Sequence, residues 1–170
     1  MEPISVARRS ELLGRARSIL KMEMRDDYAV DRVMFAAWRA GDTDRVARAA
    51  GASRRRVAAR VEAGMSLRRV KVVSEPLSEY QRFAFECSTR AVDPREELRW
   101  APRRLVSGIL MPGNDFFLLD DEMVIFNVLD GADRQAEQQL STAAEMVKLC
   151  REAFESAWAV AIPHHEYGPR

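Results

Sequence analysis

Apolar residues along this chain recur sometimes at helical spacing and sometimes by alternation, and the changes between the two mark its elements. From residue 5 to residue 20, Val6, Leu12, Leu13, Ala16, Ile19 and Leu20 share one side with arginines opposite, which predicts an amphipathic first helix. LKMEM, Leu20 to Met24, alternates like a short strand before Asp26-Asp27 interrupts it. Val30, Val33, Met34, Ala37 and Trp38 form the apolar face of a second helix, closed by Gly41-Asp42-Thr43. The stretch VARAAGASRRRV, Val46 to Val57, predicts two helical segments about Gly51, the second running to a stop at Gly64. LRRVKVV, Leu67 to Val73, is β-branched and partly alternating, the best single strand candidate. After Ser74-Glu75-Pro76 a helix places Leu77, Tyr80, Phe83, Ala84 and Cys87 on one face. Glu96 to Trp100 reads as a short strand and Pro102 to Leu110 as a short helix. Phe116 to Leu119 and Glu122 to Leu129 are apolar runs joined by Asp120-Asp121, a hairpin signal. Ala143, Met146, Val147, Cys150, Phe154, Trp158 and Val160 predict a long closing helix within Thr142 to Val160, ended by Pro163, with residues 165–170 as a frayed tail.

These elements predict one α+β domain over residues 1–170, with residues 1–64 as a helical N-terminal part. Its sheet is expected to be small and mostly antiparallel, built from Leu67–Val73, Glu96–Trp100, Phe116–Leu119 and Glu122–Leu129. The N-terminal helices and the long C-terminal helix would cover it. A third strand could follow the Asp130-Gly131 turn, but the stretch there is polar and is left out of the expected sheet. Charged residues interrupt every apolar run short of the roughly 18 residues a membrane span needs, and the first residues lack an apolar export core, so the cytoplasm is the expected location.

Charge divides the chain unevenly. Asp44 to Lys71 holds nine Arg or Lys against two acids, and Asp115 to Glu155 holds ten acids against three bases. The basic stretch matches part of a DNA-reading helix-turn-helix, and Arg48, Arg54, Arg55, Arg56 and Arg60 are the candidate phosphate contacts. Arg60, however, stands where the second helix should bury an apolar residue, and burying an unpaired guanidinium is costly. On the acidic side, Asp130, Asp133 and Glu137 are candidates for a solvent-exposed surface that attracts a basic partner protein. Following the best strand, Glu75, Tyr80, Arg82 and Phe83 are candidates for a small-ligand pocket, the alternative being that Tyr80 and Phe83 are core contacts against Phe116 and Phe117.

Catalytic chemistry finds no foothold. Cys87 and Cys150 are far apart in apolar segments, and His164 and His165 are adjacent and would point apart. Asp26-Asp27 and Asp120-Asp121 fall where caps and turns use aspartate anyway. No nucleophile elbow or glycine-rich phosphate loop occurs, so no catalytic residue, metal or cofactor is predicted.

RVKVVSEPLSEYQRFAFE (Arg69 to Glu86), DFFLLDDEMV (Asp115 to Val124) and AFESAWAVAIP (Ala153 to Pro163), with MEMRDDYAV and MFAAW upstream, resemble in order the motifs of an actinobacterial family of unknown function. Its members typically carry a Trp where Phe117 stands, and more apolar residues after the hairpin. They are typically encoded beside Xre-type helix-turn-helix regulators. The resemblance implies a non-catalytic regulatory or ligand-sensing accessory protein working with a separate DNA-binding regulator. The alternatives are a DNA-binding regulator using residues 44–71 directly, or an enzyme of unfamiliar type.

Overall fold

The computed structural model describes residues 1–91 and 97–169. Its strands are β1 (Glu2–Pro3), β2 (Ser18–Glu23), β3 (Ser66–Val73), β4 (Glu97–Pro102), β5 (Asp115–Leu119), β6 (Met123–Leu129), β7 (Gln135–Ser141) and β8 (Ile162–Pro163). The helices are α1 (Val6–Arg15), α2 (Arg32–Arg39), α3 (Thr43–Glu62), α4 (Glu79–Ala91) and α5 (Ala144–Val160). The fold is α+β, but the sheet is not small. Its eight strands run in the order β1-β7-β6-β5-β2-β3-β4-β8. Pairing is mostly antiparallel, with β2-β3 and β3-β4 parallel at the centre. Parallel neighbours need a crossover connection; α2 and α3 supply one between β2 and β3, and α4 the other. The polar stretch after Gly131 does form a strand, β7, in register with β6 and carrying Gln138 into the interior. Of the strand predicted at Glu96–Trp100, Glu96 lies outside the described residues. The helix predicted from Pro102 to Leu110 shrinks to a single 3-10 turn at Arg103–Leu105.

Alternation along the strands sorts the side chains into two faces. Leu20 and Met22, Val70 and Val72, Phe116 and Leu118, and Val124 and Phe126 join Cys150, Phe154, Ala157 and Trp158 of α5 in the largest core cluster. Full burial of each such large side chain contributes about 1.5–3 kcal/mol. Arg68 reaches across this layer to Glu155 in a two-pronged pair at 2.7 and 2.9 Å, its guanidinium 4.3 Å from the Trp158 ring centre. Burial pushes the Cys150 thiol up to about 12, as befits an inert packing residue. On the opposite face Ile19, Leu119 and Ile125 pack with Leu12 and Leu13 of α1.

Gly51 is not a turn. It lies inside α3, a continuous helix of 20 residues, without the left-handed backbone of a tight turn. The helix starts with Asp42 accepting from the Arg45 N–H at 3.1 Å. It ends where Gly64, at φ 94°, lets its own N–H reach Val61 and the Met65 N–H reach Arg60. The two-helix unit expected around Gly51 is therefore absent from this segment. Arg60 does go inward, and its cost is met: its Nη2 donates to the carbonyls of Leu13 and Ala16, at the C-terminal end of α1.

Within the described residues the tail is anchored at Tyr167. Tyr167 is buried and its ring stacks on Trp100 at 5.4 Å and 5°, while its hydroxyl donates to Glu75 at 3.0 Å.

Candidate functional site

Between the sheet and the layer formed by α1, α3 and α4 lies a cavity of about 670 Å³, within the range of small-molecule sites. Its floor is the sheet face that carries Ile19, Lys21 and Glu23 on β2, Leu67, Arg69 and Lys71 on β3, and Asp115 and Phe117 on β5. Its roof takes apolar side chains from α3 and α4, among them Val46, Ala50, Val57 and Phe83. Lys21 stands beside Arg69, and Glu23 beside Lys71, in the parallel register of β2 and β3. Central strands covered on both faces ordinarily carry apolar residues at all these positions. Here charge replaces them.

Glu23 is held by two ammonium groups, with Lys21 Nζ at 2.6 Å from one carboxylate oxygen and Lys71 Nζ at 2.9 Å from the other. Glu23 and Lys71 are both buried, at 9% and 7% exposure. Burial alone would raise the Glu23 carboxyl, but Lys21 and Lys71, reinforced by Arg69, hold it far below the usual carboxylate range. Beside this group the Tyr28 hydroxyl donates to Asp115 at 2.5 Å, and the Tyr80 hydroxyl to Asp31 at 2.6 Å. Burial, with the neighbouring carboxylates, pushes both phenols well above the ordinary tyrosine range, so they remain donors. Burial also raises Asp115, against the pull of the Tyr28 bond.

The sequence-based candidates divide. Tyr80 and Phe83 line the cavity, packed on Tyr28, Phe35 and Trp38 and not on Phe116 and Phe117. Glu75 is taken up elsewhere by Arg104, at 2.8 Å, and Tyr167, and Arg82 is exposed on α4. Arg60, and Arg56 although exposed, reach the cavity wall, whereas Arg48, Arg54 and Arg55 are exposed on α3 away from it. The carboxylates expected on an open acidic surface are all half-buried. Asp130 accepts from the N–H groups of Ala132 and Arg134 and so builds its own turn. Asp133 lines the cavity and faces Arg25 at 3.7 Å, and Glu137 sits on β7 opposite Val128. Asp26 ties the ends of β2 and β3 together by accepting from the Ser74 N–H and hydroxyl. Among the described residues no three His, Cys, Asp or Glu come together as metal ligands. No helix there is long and apolar enough to cross a membrane.

His164 has a structural post. Its Nδ1 accepts from the buried Trp100 indole N–H at 2.8 Å, and its Nε2 lies 3.1 Å from the Thr89 hydroxyl. Thr89 itself donates to the Phe85 carbonyl, so the neutral tautomer with hydrogen on Nε2 completes the chain. Burial, then the charge of Arg69, lowers the His164 pKa below the ordinary histidine value. A lowered folded pKa contributes stability that is complete above the unfolded value of about 6.5 and is lost as pH falls through the folded value. In urea unfolding, His164→Ala should lack this acid-side decline. At pH 7.5 it should cost about 1–3 kcal/mol by leaving the Trp100 N–H without its acceptor. An unchanged pH profile in the variant would contradict the assignment.

An α+β protein with a charged cavity between its sheet and one helical layer is the class these features define. The chain belongs to the family described as domain of unknown function (DUF6879), whose model matches residues 8–169. No curated protein matches it in sequence.

Proposed function

We propose that this protein is a non-catalytic ligand sensor that works with a separate DNA-binding regulator of the helix-turn-helix type. The observation that carries the sensing role is the cavity of about 670 Å³ whose floor is charged and whose roof is apolar. A charged floor costs folding energy that an apolar one would not, and a bound molecule with matching polar groups is a reason for retaining it. The regulatory partner rests on the likeness of the EPLSEY and DFFLLDD stretches to proteins encoded beside such regulators. Direct DNA reading is the weaker alternative, because the basic helix α3 runs straight through the position where the reading unit needs its turn. As the companion of a DNA-bound protein the sensor acts in the cytoplasm.

The test is native mass spectrometry of the protein purified at low salt from a host that also expresses the neighbouring regulator. We expect a bound small molecule of fixed mass and a complex with the regulator. Protein that emerges bare and alone under these conditions contradicts the proposal.

A further inference from the structure

We infer that the cavity takes an amphiphilic anion, a carboxylate or phosphate on an apolar body, with Lys21, Lys71 and Arg9 receiving the acid group. This inference rests on reading the cavity as a ligand site and adds the chemical class of the ligand. It follows from matching donors against acceptors along the wall. Each wall carboxylate already has a partner, although Glu23 Oε2, at ion-pair distance from Lys71, makes no hydrogen bond. Glu23 holds two ammonium groups, Asp31 accepts the Tyr80 hydroxyl, and Asp115 accepts both the Tyr28 hydroxyl and the Met24 N–H at 2.8 Å. Asp133 faces Arg25.

Donors are left over. Each ammonium has three N–H groups, and Lys21 and Lys71 converge on the one carboxylate of Glu23. The other neighbours of these two ammonium groups include aromatic rings: Phe117 at 5.4 Å for Lys21, and Tyr28 and Trp100 at 5.9 and 5.8 Å for Lys71. From α1, Arg9 reaches the same cavity with one long bond, 3.4 Å to the Asn127 side chain, and its Nε is buried with no hydrogen-bond partner among the described residues. Arg60 is excluded from the count because the end of α1 occupies it. Six basic side chains line the cavity against four acidic ones, so an anion meets an excess of positive charge and finds spare donors on β2, β3 and α1. Opposite them, Leu13, Val46, Ala50, Val57 and Phe83 offer an apolar wall for the remainder of the molecule.

The experiment compares three probes of equal chain length by titration calorimetry at pH 7, each below its micelle concentration: decanoate, 1-decanol and decyltrimethylammonium. Decanoate should bind about tenfold or more tightly than decanol, the fold-change of one charge-assisted hydrogen bond, and the ammonium probe more weakly than either. In Lys71→Met the advantage of decanoate over decanol should fall to about twofold or less while decanol still binds. Arg9→Gln, on the half-buried edge of the cavity, should reduce the same ratio and serves if the Lys71 variant fails to fold. Equal binding of decanoate and decanol, or preference for the ammonium probe, overturns the anion inference and leaves the ligand-site reading standing. Binding of none of the three overturns both. A ratio that persists in both variants overturns the assignment to these residues.

Discussion

Replacing Glu23 with alanine is expected to destabilise the protein by about 3–5 kcal/mol, because it strands a buried ammonium without its counter-charge. Lys71 is buried on the sheet face, and Glu23 at 2.9 Å is its ion-pair partner. The loss follows from what remains behind more than from the strength of the pair, since charges drawn out of water gain little net energy from each other. The double variant Glu23→Met with Lys71→Met should therefore recover much of the loss. The pH dependence follows from the depressed Glu23 pKa. Its contribution is present above the unfolded value of about 4.3 and disappears only as pH falls through the much lower folded value. Urea unfolding followed by circular dichroism at pH 7 and in acid checks both points. A double variant as unstable as Glu23→Ala would contradict the account of the floor.

Phe116→Ala should cost about 3–5 kcal/mol and Phe117→Ala distinctly less, although the two are neighbours. Phe116 is fully buried in the cluster beneath α5, edge-on to Phe126 at 6.2 Å. Phe117 points to the other face and lines the cavity, where it is half-buried. A strand slipped by one residue would exchange these two environments. Equal melting losses, or a larger loss at Phe117, would contradict the register in which Phe116 pairs with Met22 and Phe117 with Lys21.

The same alternation decides what was legible in the sequence. LKMEM and LRRVKVV suggested strands because Leu20 and Met22, or Val70 and Val72, alternate with charged residues, and both strands are present. LKMEM was nonetheless left out of the expected sheet and the first helix drawn on to Leu20, whereas α1 ends at Arg15 and β2 begins at Ser18 inside the sheet. What alternation could not reveal is that the charged side faces a cavity instead of bulk water. Lys21, Glu23, Arg69 and Lys71 look in sequence like an ordinary solvated face, and they come to lie under α1 and the crossover helices α3 and α4 only in the folded chain. β7 was left out of the expected sheet because QAEQQLS has little β-branched or aromatic character, and pairing with β6 outweighs that weak propensity. The apparent turn at Gly51 failed for the converse reason. One glycine in a helix interior costs about 1 kcal/mol, which its alanine- and arginine-rich flanks and the caps at Asp42 and Gly64 offset. The tail was misjudged because its anchor, Tyr167 on Trp100, is a contact between residues far apart in sequence. Tyr80 and Phe83, on the helix after β3, were candidates either for a pocket or for core contacts with Phe116 and Phe117; their partners on α2 depend on how α2 and α4 pack, which the sequence does not show.

Occupancy of the cavity is the central claim, and filling the cavity tests it most directly. Ala50 lies on α3 with its side chain buried at the cavity wall, so Ala50→Trp directs an indole into the space a ligand would use. Native mass spectra of wild-type and variant protein, purified from the same host and matched for folding by circular dichroism, should show a small molecule bound to the first and absent from the second. The same adduct on both proteins, or on neither, would contradict the account.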